Sequence, residues 1–102
     1  METIPQVTFG EVFRWYPPKR SVHRSCIIDE GQGRIRRIDI YVSCEAIMDA
    51  SRLEATPKDE DLVNAAKRLW DRRIYPVVKR RIKAGEFDPD GTLLVTTMEI
   101  GG

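Results

Sequence analysis

The sequence predicts an α+β domain: a small, mostly antiparallel β-sheet of about four strands, with a short helix and a long kinked helix packed on one face. Three observations lead there. Two β-patterned runs flank the glycine-bearing connection Gly31-Gln32-Gly33. Leu62, Ala66, Trp70, Ile74 and Val77 or Val78 recur at spacings of three or four, the period of a helix face. A β-branched run, TLLVTTMEI, follows the turn signal Asp88-Pro89-Asp90-Gly91.

Taken in order, segment 7–16 carries Val7, Phe9, Val12, Phe13 and Trp15, which mixes alternation with adjacent apolar residues. It reads as one strand with a bulge. Pro17 and Pro18 end it, since neither can donate to a ladder. Segments 22–29 and 34–43 form the hairpin around a three-residue loop. In that register Glu30 faces Arg34, Cys26 faces Ile38, His23 faces Tyr41 and Val22 faces Val42. Ile38, Ile40 and Val42 then share the core face, while Arg37, Asp39 and Tyr41 share the other. The two cysteines, Cys26 and Cys44, are not partners in this register and are expected to be free thiols.

Ser43 is placed to cap a short helix over 44–52, with Ala46, Ile47, Ala50 and Leu53 on its apolar side. The long helix starts at Thr56 as N-cap, with Pro57 in its first position, Asp59 as the capping acid, and Gly85 at the far end. Pro76 lacks a backbone donor and its ring clashes with the carbonyl of Arg72, so a kink is expected at 74–77. The final strand is expected over 92–100.

The 102 residues suit one domain, 1–102. An apolar content of 41% is too high for a disordered chain. Seventeen basic and 16 acidic residues give a net charge of +1, so no global field favours nucleic acid or an anionic membrane. No apolar stretch is long enough to span a bilayer. The opening METIPQVTFG has neither a basic n-region nor an apolar h-region, so no secretory signal is expected. Two thiols without a CxxC pair fit a reducing, cytoplasmic compartment.

No convergent catalytic set is visible, and no cofactor or metal is expected. His23 is the only histidine, and a lone histidine reads as a surface residue. Cys44 stands at a predicted helix N-terminus, where a thiolate is favoured, but it reads more simply as a small core residue. The acidic run Asp59-Glu60-Asp61 suits the positive end of a helix dipole and lacks the spacing of a calcium loop.

Segment 67–83 is the most informative stretch, with eight basic residues against one acid. Projected at about 100° per residue with Leu62 at zero, the apolar stripe covers about 0° to 120°. Arg68, Arg72, Lys79 and Lys83 fall at about 240° to 300°, an outward row of cations able to meet phosphates or an acidic partner. Arg73 falls at about 20°, inside the stripe. A buried guanidinium needs a partner, so Arg73 is expected to pair with Glu45 or Asp49. Trp15 and Tyr16, beside the two prolines, are candidates for an exposed apolar contact patch.

The middle of the chain resembles a small bacterial family, the domain of unknown function 1488. The residues that carry this are a strand beginning at Val22, the turn at Gly31, the run I-x-I-x-V-S-x-E-A-I-x-D over 38–49, the helix motif W-x-x-R-I over 70–74, Ile82, and the strand after Asp90-Gly91. The resemblance covers about 20–100, and Pro76 with the basic segment around it departs from the pattern. It implies a compact α+β domain without an established activity. The expectation is therefore a small cytosolic, non-enzymatic module that acts through an unknown protein partner or a homodimer. The alternative is a nucleic-acid-associated regulator using the basic helix face over 67–83.

Overall fold

The computed structural model describes residues 6–52 and 57–100. The elements are β1 (Gln6–Phe9), β2 (Arg14–Tyr16), a 3₁₀ turn (Pro17–Lys19), β3 (Ser21–Gly31), β4 (Arg34–Ser43), α1 (Cys44–Ser51), α2 (Asp59–Leu69), a π-helical turn (Trp70–Ile74), α3 (Tyr75–Ala84), β5 (Leu93–Val95) and α4 (Thr97–Ile100). The sheet order is β1-β3-β4-β5, with β2 also on β3. All pairings are antiparallel except β4–β5, which is parallel.

The β3–β4 register matches the hydrophobic pattern. Cys26 faces Ile38, His23 faces Tyr41 and Val22 faces Val42. The connection, however, is two residues rather than three. Gln32 and Gly33 both hold positive φ, 55° and 77°, as a tight hairpin turn requires. The register shifts between Asp29 and Gly31, so Arg34 faces Gly31, and the expected Glu30–Arg34 cross-strand pair is not formed.

Segment 7–16 is two strands, not one. β1 pairs with the distal half of β3 and β2 with its proximal end. The chain crosses between them at Gly10, whose N–H donates to the Ser25 carbonyl at 2.8 Å. A Cβ on Gly10 would lie 2.5 Å from Ser25 Oγ, so no other residue fits this approach without displacement.

Ser43 caps α1 as expected, its Oγ accepting from the Ala46 N–H at 3.1 Å. The start of α2 differs. Its N-cap is Lys58, and the capping acid is Asp61, which accepts from the Lys58 N–H at 3.0 Å. The expected cap, Thr56, and Leu53 of the first helix lie outside the described residues.

The joined helix 59–84 is interrupted where Pro76 requires it, but by a π turn. The Tyr75 N–H bonds the carbonyl of Trp70, five residues back, and Pro76 then enters the first turn of α3, where a missing donor is harmless. The extra residue in this turn delays the helix by about 100°. Ile82, which a straight projection places at about 200°, moves to about 100°; it is buried.

The last strand is also shorter than expected. Only Leu93–Val95 pairs with β4, and residues 97–100 turn into α4. Glu99 explains the turn: its carboxylate accepts from the Thr96 N–H at 3.3 Å, half of a capping box.

One core joins the sheet to the helices. Val22, Cys26, Ile28, Ile38, Ile40, Val42, Leu93 and Val95 meet Ile47, Leu62, Ala66, Trp70, Ile74, Val78 and Ile82. The helices thus cover one face of the sheet. Among the described residues, no helix is long and apolar enough to cross a membrane.

Candidate functional site

Strand alternation puts Arg24 on the core face, between Val22 and Cys26. Its guanidinium lies 4.4 Å from the ring centre of Phe13, 4.6 Å from Trp70 and 5.0 Å from Phe9. Its Nε–H donates to the Gly10 carbonyl at 2.7 Å. Burial pushes its pKa below the usual arginine value, and Asp71 works against that shift. The arginine is an internal strut, tying the β1–β2 crossing to the long helix. Trp70 Nε1 is the one buried side-chain polar atom without a partner among the described residues.

The opposite face of the sheet gathers the titratable groups. His23 Nε2 stands 2.8 Å from Asp39 Oδ1. The Tyr41 ring lies 5.2 Å from both His23 and Tyr16, and Lys19 Nζ sits 4.7 Å above it. Lys19 also bridges to Asp90 at 3.1 Å. Two hydrogen bonds from Thr92, then Lys19, hold Asp90 down at about 2. Burial, then Asp39, pushes the Tyr41 phenol up. Ser25 shares this face with His23 and Asp39, yet no hydrogen bond joins it to His23, so the three do not line up as a nucleophile with its base. Among the described residues, no group of three His, Cys, Asp or Glu side chains is gathered for a metal.

Trp15 and Tyr16 do not form a common patch. As neighbours in β2 they point to opposite faces. Trp15 packs against the core and Tyr16 stacks on Tyr41, so both are half-buried.

Cys26 and Cys44 are both free and buried. Burial raises the Cys26 thiol to about 11, far from a thiolate at neutral pH. Cys44 Sγ lies 3.6 Å from Met48 Sδ and borders two shallow clefts of about 330 and 300 Å³, which also share Arg20.

On the long helix, Arg68, Arg72, Lys79 and Lys83 are all exposed. The π turn divides their row: allowing for the phase delay, Arg68 and Arg72 lie at about 240° to 280°, and Lys79 and Lys83 at about 160° to 200°. Arg73 is not buried and pairs with neither Glu45 nor Asp49. It is exposed and donates to the Ile100 carbonyl at 2.6 Å. The arginine turned inward is Arg81, whose side chain is 11% exposed; the uniform projection sets it at about 100° and the delay at about 0°, on the apolar stripe either way. It donates to the Leu94 carbonyl at 2.7 Å and pairs with Asp88 at 3.2 Å and Glu99 at 3.6 Å. Sequence reasoning passed over it although the uniform projection already sets it inside the stripe, because attention went to Arg73 at about 20°.

The distal part of the β3–β4 hairpin is the remaining conspicuous surface. Ile27 is 48% exposed and Ile35 69%. They are diagonal neighbours on the open face, since Ile27 faces Arg37 and Ile35 faces Asp29. Arg34, Arg36 and Arg37 are exposed, and Arg36 stacks 4.3 Å above the Phe87 ring. β5 pairs only with residues 40–42 of β4. Residues 34–39 therefore make no backbone hydrogen bond on their outer edge to any described residue.

No family model and no curated protein matches the chain. Among solved structures, the chain is similar to a protein of unknown function from the DUF1488 family of Shewanella loihica PV-4, at 19% identity and a TM-score of 0.71. The match covers 87% of this chain and 90% of that one. At this identity the likeness concerns the fold, and at that level it bears out the resemblance carried by the motifs over 38–49 and 70–74.

Proposed function

We propose that the chain is a small protein-interaction module of the bacterial cytoplasm, without chemistry of its own. The observation that carries this reading is the pair Ile27 and Ile35, two large aliphatic side chains side by side on the uncovered face of the hairpin. A soluble domain stabilises such side chains by burial, at roughly 25 cal/mol per Å² removed from water, and a partner surface supplies that burial. The groups with catalytic potential support the same reading: His23, Asp39 and Tyr41 are engaged with one another, and Cys26 is held protonated.

The test is chemical crosslinking in native bacterial lysate, with and without nuclease, using the wild type and an Ile27→Ser/Ile35→Ser variant. Protein crosslinks that survive nuclease and disappear in the variant are expected. Crosslinks unchanged by the variant would refute the reading. A second reading, nucleic-acid binding, is favoured by the exposure of Arg68, Arg72, Lys79 and Lys83. It requires binding to generic DNA or RNA that is strongest at low salt.

A further inference from the structure

We infer that the outer edge of β4 over residues 34–39 receives an extended acidic segment of a partner protein, which adds to the sheet as a further strand. This rests on the interaction reading above and specifies its chemistry. The edge is six residues long, about 20 Å at ~3.3 Å per residue. That is the length of a typical strand. It contains no proline and no bulge, because the register irregularity lies on β3 between Asp29 and Gly31. Its outward N–H and C=O groups are therefore regularly spaced for a new ladder.

Charge selects the occupant. Three of the six residues are arginines, all exposed, and none forms an ion pair with a described residue. Arg37 and Arg36 point to opposite faces, so a docking strand meets positive charge on both sides. Ile35, exposed on the open face with Arg37 and beside Ile27, offers an apolar contact next to that charge. A second copy of this chain fits poorly. Directly opposed residues of an antiparallel pair share a face, so the edge aligned with itself sets Arg36 or Arg37 against its own copy, or Arg34 against Arg36, and like charges directly opposed are destabilising. Carboxylates at alternate positions of the incoming strand reverse that sign.

The experiment uses the full chain and an array of peptides about seven residues long, alternating Glu or Asp with each β-branched or aromatic residue. Matched arrays carry Lys for the acids or one central Pro. Binders are then followed by amide hydrogen exchange. The expected result is binding by acidic members only, weakened by salt, with slowed exchange at alternate amides within 34–39. Arg36→Glu/Arg37→Glu should weaken binding by roughly tenfold or more; both side chains are exposed, and an unchanged amide spectrum elsewhere verifies the fold. The inference is overturned if no acidic member binds, if proline members bind equally, or if binding leaves the 34–39 amides unprotected. It is also overturned if the free protein sediments as a dimer with those amides already protected, or if oligonucleotides rather than peptides protect them. If peptides fail while Ile27→Ser/Ile35→Ser still abolishes lysate crosslinks, the edge assignment falls and the interaction reading stands. Loss of both results removes both.

Discussion

Arg24 sits where the pattern asks for an aliphatic residue, two strand positions from Val22 on one side and from Cys26 on the other. The aromatic rings of Phe9, Phe13 and Trp70 make that tolerable, because their faces are negative and planar and the guanidinium is planar and weakly hydrated. Lysine should not replace it. Arg24→Lys loses the Nε–H bond to Gly10 and the flat stacking, and is expected to destabilise by about 1–2 kcal/mol in urea denaturation. Cys26 makes a second prediction at this scale. Its folded pKa of about 11 lies above the value of 9.0 for a free thiol, so the folded chain holds the proton more tightly. The stabilisation is full below about pH 9 and is lost as pH rises toward 11. Urea midpoints of wild type and Cys26→Val should diverge over that window, with the wild type falling faster. Equal slopes would show that the thiol ionises in the folded state as freely as in the unfolded.

The elements show what a local reading captures. The β3–β4 register was legible because its alternation commits Ile38, Ile40 and Val42 to one face, and a one-residue slip would expose all three. Ser43 was legible because a cap acts within one turn. α4 was hidden by β-branched residues, although Thr96-Thr97-Met98-Glu99 is a capping-box spacing. The four helix cations are exposed as expected, in two pairs divided by the π turn, whereas the Arg73 pairing and the Trp15–Tyr16 patch failed for geometric reasons: the π turn rephases the helix beyond Trp70, and strand neighbours diverge. That rephasing is itself testable. Deleting Arg72 removes the extra residue and keeps Ile74, Val78 and Ile82 in phase with Leu62, but it forces Pro76 into a regular helix. The deletion alone should destabilise by about 3 kcal/mol. Combining it with Pro76→Ala should restore stability to near or above wild type, read as the urea midpoint. A double variant no more stable than the single deletion would mean that the π turn answers to something other than the proline.

At the scale of the molecule, the chain is elongated, with extents of 48 × 24 × 24 Å. The helical layer is tied to the central sheet, where Val22, Ile40 and Val42 are fully enclosed. The hairpin tip beyond Ile27 bears mostly exposed residues and carries the free edge of β4. Stability should therefore be graded along the hairpin rather than uniform. Amides near Val22 and Ile40 are expected to exchange only through global unfolding, with urea sensitivity equal to that of the whole domain. Amides between Asp29 and Arg37 should exchange through local opening that urea barely affects. Such a gradient would suit strand addition, since an edge that opens locally gains most from a partner that supplies its missing ladder. If tip and centre exchange together, the hairpin is rigid throughout, and a partner would find the edge already fixed in its bound form.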